Sequence, residues 1–215
     1  MQLRVSRSDL ASAVSSCVMR VIAGTYRSRL LDAPKGMDTR PTSDRLRETL
    51  FNVLAPYVQD AHFVDLYAGS GAVGIEAMSR GAASCIFAEN APPALAALRK
   101  NLAMLKISAG TQLETRSVAR ALENMAKAAA KLGRAQGADI VFLDPPYEAA
   151  EEYDATLRTL ARQHDVLLNA GAIVVAEHTR KKPLPERVGA LSRFRLLEQG
   201  DAVLSFYRVA EEAAE

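Results

Sequence analysis

The chain has 215 residues, 49% of them hydrophobic and 24% charged, with a formal net charge of +2. That is enough apolar material for a sizeable core in one large domain, or in a domain with an appendage. No apolar run approaches the roughly 20 residues of a membrane helix. Two cysteines, Cys17 and Cys85, exclude a disulfide framework or a cysteine-rich zinc site. The histidines His62, His164 and His178 are scattered without metal-ligand spacing. A cytoplasmic protein with reduced thiols, no metal and no membrane partner is the expectation.

Charge is unevenly placed. Residues 1–58 hold nine Lys/Arg against five Asp/Glu, and residues 59–215 hold eighteen against twenty. A basic front end on a near-neutral body suits a polyanionic partner, or a solvated basic arm. Residues 1–18 are Arg- and Ser-rich without a long apolar core, so they read as an extension or an upstream start before Met19, with a faint transit-peptide character.

From Arg20 to Leu31 the pattern predicts a hairpin or two short strands around Gly24. A helix then starts at Arg40-Pro41-Thr42-Ser43-Asp44, with Thr42 or Ser43 as N-cap. Leu46, Leu50, Val53, Leu54 and Tyr57 give it an apolar face, and Pro56 closes it. Arg40, Arg45 and Arg47 sit at its front, preceded by Tyr26, Arg27 and Arg29. Such a set could hold phosphates and stack on unpaired bases, or be a solvated helix face.

Phe63 to Gly74 (FVDLYAGSGAVG) reads as a buried parallel strand, a glycine loop and a helix start, the helix ending near Arg80-Gly81. Gly69-x-Gly71-x-x-Gly74 matches a dinucleotide fingerprint, with Glu89 about where a ribose-binding acid belongs. Asp65 decides against that ligand. A carboxylate there repels a pyrophosphate but suits S-adenosylmethionine (SAM), which carries a sulfonium and an ammonium against one carboxylate.

Beyond it, Ser84 to Asn90 is a second strand and Pro92 to Ile107 a helix. Thr111 to Val118 is a weak third strand, and Ala119 to Leu132 an alanine-rich helix. After a loop at 133–137, Ala138 to Leu143 is a fourth strand running into Asp144-Pro145-Pro146-Tyr147. A helix covers about Ala150 to Leu167, Ala172 to Glu177 is a fifth strand, and Arg180-Lys181-Lys182-Pro183 a basic loop. Phe194 to Glu198 and Ala202 to Val209 form a closing hairpin about Gly200-Asp201. Alternating strands and helices predict a parallel α/β sheet with its ligand beyond the carboxyl ends of the strands, where Asp65, Glu89 and Asp144 lie.

Asp144-Pro145-Pro146-Tyr147 carries the second signal. Two prolines remove two N–H donors, leaving the Asp144 carboxylate and the Pro145 carbonyl as acceptors. A site of acceptors suits a substrate that presents an amine. Hydrogen bonds from both amine hydrogens would hold the nitrogen in line with a methyl donor, and Tyr147 can stack on an extruded base.

These blocks together resemble the bacterial ribosomal RNA small subunit methyltransferase D family. They are RVIAG from Arg20, RPTSDRLRETLFN from Arg40, DLYAGSGAVGIEA from Asp65, Ser79-Arg80-Gly81 and FLDPPY from Phe142, and the likeness spans about Met19 to Val209. The resemblance implies SAM-dependent N2-methylation of guanine 966 of 16S rRNA, within an assembling small subunit. It implies a Rossmann-like α/β sheet of seven strands with an antiparallel last strand, helices on both faces, and an N-terminal hairpin extension that grips RNA.

By position, Asp65, Gly69 and Gly71 would line the methionine end of the cofactor, with Tyr67 and Ser70 in the same loop. Glu89 would bind the ribose hydroxyls beside Asn90, and Asp144 to Tyr147 would hold the guanine. Ser117-Val118 stands where related enzymes often place an acid for the adenine amine. The expected organisation is residues 1–18 as an extension, 19–58 as an RNA-contacting hairpin and helix, 59–209 as the methyltransferase domain and 210–215 as a tail, acting as a monomer. The competing readings are methylation of adenine N6 or cytosine N4, an NAD(P)-dependent reductase, and a non-catalytic RNA-binding assembly factor.

Overall fold

The computed structural model describes residues 19–34, 43–132, 137–146 and 149–210. In chain order the strands are β1 Met19–Arg20, β2 Leu30–Leu31, β3 His62–Leu66, β4 Ser84–Ala88, β5 Thr111–Glu114, β6 Ala138–Leu143, β7 Leu168–Thr179, β8 Arg187–Val188, β9 Leu191–Gln199 and β10 Ala202–Val209. The helices are α1 Asp44–Leu54, α2 Ala72–Ser79, α3 Pro92–Leu105, α4 Val118–Leu132, α5 Ala150–Arg162 and α6 His164–Leu167.

The main sheet runs β5-β4-β3-β6-β7-β10-β9-β8. Strands β3 to β7 are mutually parallel, and β10, the last strand in the chain, lies antiparallel to β7 and β9. The count is eight rather than the expected seven. The extra member is the two-residue β8, which pairs with β9 through Val188↔Leu191 and is too short to leave an apolar pattern in the sequence.

Alternation along the strands sorts the core into two layers. Phe63, Phe87, Ile140, Phe142, Ile173, Val175, Leu204 and Phe206 face α1, α2 and α3. Val64, Leu66, Val141, Leu143, Val174, Ala176 and Tyr207 face α4, α5 and α6. Residue parity then puts Asp65, Asp144 and Glu177 on the α1–α3 face, at or just past the ends of β3, β6 and β7.

Several boundaries move from expectation for local reasons. The third strand stops at Glu114 because Ser117 opens α4, its carbonyl accepting Ala121 N–H at 3.0 Å. α3 stops at Leu105, where Lys106 turns left-handed at φ 57°. The helix expected over Ala150 to Leu167 is divided at Gln163 into α5 and α6. β7 is longer than expected and carries a bulge against β6 between Ala138 and Ile140. α1 ends before Tyr57, whose ring instead lies 5.3 Å from the Arg208 guanidinium.

The hairpin β1–β2 is antiparallel, with Met19↔Leu31 and Arg20↔Leu30. It is held by polar side chains of α2 and α3. Glu76 accepts the N–H groups of Ile22 and Ala23 at 2.7 and 3.0 Å, and Asn101 accepts Asp32 N–H at 2.8 Å. The Asn101 amide also donates to Asp32 O and Ser70 O, both at 3.0 Å, tying the hairpin to the glycine loop.

Candidate active site

The glycine loop joins β3 to α2 with Tyr67, Gly69 and Gly71 at positive φ. The glycines do different work. A Cβ on Gly71 would meet Leu98 Cδ1 at 2.3 Å, and one on Gly74 would meet Phe87 Cε1 at 2.3 Å, so those two let α2 seat against the sheet and α3. A Cβ on Gly69 would meet nothing within 4 Å. Gly69 therefore borders open room at the strand ends, where backbone can approach a ligand.

Asp65 is buried, and its Oδ2 accepts Gly74 N–H at 2.8 Å. Burial pushes its carboxyl up to about 7, against the lowering effect of that hydrogen bond, and the nearby Glu89 charge adds to the rise. Glu89, past the end of β4, takes Gly69 N–H at 2.8 Å on Oε2, and Asn90 and Ala91 N–H at 2.8 and 2.7 Å on Oε1. It thus braces the glycine loop against the start of α3, while the Asn90 side chain is exposed.

Asp144 sits one residue beyond β6, directly after Leu143, which pairs with both Leu66 and Ala176. It is half-buried. The protein packed around it drives its carboxyl well above the carboxylate range by desolvation, with the charges of Glu177 and Asp65 pushing the same way. Asp65 and Asp144 therefore lie near one another at the ends of neighbouring strands. Pro145 is buried and Pro146 exposed. The Tyr153 hydroxyl donates to Glu177 O at 2.8 Å and lies 3.4 Å from Pro145 O, so the Pro145 carbonyl keeps acceptor capacity. Tyr67 OH donates to Glu152 Oε2 at 2.7 Å and lies 2.9 Å from Thr156 Oγ1, fixing the glycine loop to α5 behind the proline turn.

Two cofactor candidates point elsewhere. The Ser70 hydroxyl is buried against Met19 Sδ at 3.8 Å, facing the hairpin. Ser117 spends its carbonyl on Ala121 N–H, and its hydroxyl accepts Arg120 N–H at 3.4 Å, so both serve the start of α4; Val118 is buried beneath it.

Glu177 is the residue the motif reading passed over. It is 3% exposed and lies beside Asp144 on the same face. Its signal was present, since an acid closes the apolar run of β7 as Asp65 and Asp144 follow the apolar runs of β3 and β6.

On the basic side, Arg27, Arg29 and Arg45 are all exposed at the surface, and Tyr26 is half-buried. Arg47 is not available to a polyanion: it is 0% exposed. Its Nη2 donates to Arg20 O at 2.6 Å and to Asp44 Oδ1 at 2.8 Å, and its Nε lies 3.9 Å from Glu76 Oε2. Arg47 faces inward because the hairpin covers that side of α1, which no single-helix pattern reveals. Ser43 caps α1, accepting Leu46 N–H at 3.2 Å. Arg40, Thr42 and Tyr147 lie outside the described residues, as do residues 1–18. Among the described residues no helix is long and apolar enough to cross a membrane.

The arrangement is a set of strand ends that carry acids and carbonyls beside one open glycine. A parallel sheet closed by an antiparallel hairpin, with this site at its carboxyl edge, defines a Rossmann-like methyltransferase. Comparison narrows the class. Residues 19–208 match the family described as Conserved hypothetical protein 95. YlbH of Bacillus subtilis (strain 168), named provisionally as an rRNA methyltransferase, is 40% identical over 190 residues, covering 88% of this chain and 98% of that protein. Ribosomal RNA small subunit methyltransferase D of Haemophilus influenzae is 35% identical over 169 residues, covering 77% and 81%. The solved structure of yhhF from Escherichia coli, titled provisionally a methyltransferase, aligns with a TM-score of 0.72 at 32% identity over 88% of this chain and 97% of that one. The chain belongs to the ribosomal RNA small subunit methyltransferase D family.

Proposed function

We propose that this protein transfers a methyl group from SAM to the exocyclic N2 of a guanine in 16S rRNA, at the position corresponding to 966. The observation that carries the reading is the pairing of buried Asp65 with half-buried Asp144 at adjacent strand ends, beside a glycine whose missing side chain leaves room for a ligand. Two acids held at a desolvated edge favour a cation. The family relatives named as rRNA methyltransferases support the substrate class.

SAM, when bound, supplies an electrophilic methyl on a sulfonium. Asp65 and the loop at Gly69 and Gly71 would hold its methionine end, and Glu89 its ribose. Asp144 and the Pro145 carbonyl accept the two N–H groups of the guanine amine, which turns the nitrogen lone pair out of conjugation and toward the methyl. As the S–CH3 bond breaks and the N–CH3 bond forms, the carboxylate would also offset the positive charge that develops on nitrogen, which then loses one of its N–H protons to Asp144 or to water. Tyr147 stacks on the base. Tyr26, Arg27, Arg29, Arg40, Thr42 and Arg45, in the 19–58 segment, contact phosphates and unpaired bases, while 59–209 forms the methyltransferase domain.

The test is to incubate the protein with methyl-tritiated SAM and small subunits that lack this methylation, then map the label. The expected result is label on one guanine N2 of 16S rRNA. Label on adenine or cytosine moves the substrate to a different base, and no transfer to RNA removes the reading.

A further inference from the structure

α5 holds two parts of the candidate site at once. Just before it, Ala149 N–H donates to Pro146 O at 2.8 Å. Near its start, the Tyr153 hydroxyl donates to Glu177 O at 2.8 Å and lies 3.4 Å from Pro145 O. The turn after Asp144 is thereby seated on this helix. Tyr67 reaches the same helix from the glycine loop. Its hydroxyl donates to Glu152 Oε2 at 2.7 Å and lies 2.9 Å from Thr156 Oγ1. Glu152 and Thr156 stand one turn apart on a single face of α5. A phenol has one proton, and Glu152 takes it, so Thr156 donates to the Tyr67 oxygen. Burial raises the Tyr67 hydroxyl above its ordinary range, which keeps that proton in place.

The backbone bends to make this reach. By strand alternation Tyr67 would follow Asp65 onto the α1–α3 face. Instead it stands at φ 62° and packs against the other core layer, the one that α5 covers. A bulky side chain rarely adopts that left-handed backbone, and such strain persists where the surroundings hold it. What this strained residue secures is the contact with α5.

We propose that Tyr67 is a positioning residue: through α5 it locks the glycine loop and the Asp144–Pro146 turn into one rigid unit, which sets the methyl donor and the acceptor amine in line. This rests on the SAM-dependent reading above. The loop would carry the donor and the turn the base, and the two stretches are far apart in the chain. In-line transfer tolerates little error, since a misplacement of about 1 Å can cost on the order of 100-fold in rate. The Tyr67 hydroxyl is committed to Glu152 and Thr156, so it acts through the helix and not on the reacting atoms.

Single-turnover methyl transfer to undermethylated small subunits, together with SAM calorimetry, tests this on the full-length protein. Tyr67→Phe keeps the ring and removes the hydroxyl. Its rate at saturating SAM should fall roughly tenfold while its SAM affinity stays within about threefold of wild type. Thr156→Val should reproduce most of the loss, and Thr156→Ser, which keeps the hydroxyl, should restore most of the rate. Tyr67→Phe combined with Thr156→Val should be no slower than Tyr67→Phe alone, because both remove the same contact. In ligand-free Tyr67→Phe protein, hydrogen exchange should quicken together at the Gly71 and Ala149 amides, each now bonded within its own turn. An unchanged rate, a loss that more SAM restores, additive losses in the double variant, or exchange that quickens in the loop alone overturns the proposal and leaves Tyr67 a packing residue. If wild type transfers no methyl to RNA, the SAM-dependent function itself fails.

Discussion

Two groups of acids inside this protein behave in opposite ways. Glu76, in α2, is fully buried, yet every part of its carboxylate is answered. Ile22 and Ala23 N–H donate to it, Arg80 Nε lies 2.7 Å from Oε1, and Arg47 Nε lies 3.9 Å from Oε2. Asp144, at the end of β6, gains repulsion from Glu177 and Asp65. The buried acid beside two arginines holds the hairpin to the helices, whereas Asp144, beside two further acids, has its carboxyl raised well above the carboxylate range. The same residue type marks scaffold in one place and site in the other, and the surroundings decide which.

Breaking the matched group should have the largest effect. Arg47→Ala leaves Glu76 and Asp44 without their shared cation, and should cost about 3–5 kcal/mol of stability. Urea denaturation measures it. Weaker RNA binding by a fully folded Arg47→Ala protein would return Arg47 to the interface.

Breaking the repelling group should spare the fold and stop the chemistry. Asp144→Ala is expected to slow single-turnover methyl transfer by about 100- to 1000-fold, with thermal stability unchanged or improved. A variant that transfers methyl at the wild-type rate would remove Asp144 from the reaction.

Stability against pH sharpens the contrast. The folded Asp65 carboxyl is raised to about 7, so between the ordinary carboxylate value and pH 7 the folded state binds more protons than the unfolded chain. Stability of the ligand-free protein is then lost as pH rises through that window, by up to about 1.4 kcal/mol per pH unit for this one group. Asp65→Asn should flatten the slope in a melting series from pH 5 to pH 8. A slope that survives the substitution would assign the titration to another group.

The smallest effect concerns the exposed arginines of the extension. Replacing both Arg27 and Arg29 with Ala should weaken RNA binding modestly and reduce the salt slope by about 0.7 for each phosphate these side chains neutralise. An unchanged slope leaves them as surface charge.

Much of this was legible in the chain. The apolar runs before Asp65 and Asp144 placed β3 and β6, and the glycine spacing placed the loop. The two roles of the glycines were not readable, because Gly71 and Gly74 are set by Leu98 and Phe87, residues brought in by α3 and β4. Arg47 misled for a similar reason. Its burial depends on Glu76 and on the Arg20 carbonyl, 29 and 27 positions away. Glu177 was readable as the end of a strand, but its place beside Asp144 is fixed only by sheet order.

The most direct measurement is a crystal structure of the protein with SAM. The account predicts the methionine end beside Asp65 and Gly69, with the methyl carbon turned toward the Asp144 carboxylate. A donor bound elsewhere, such as the depression lined by Tyr57, Asp60 and Asp139 at the opposite edge of the sheet, would contradict it.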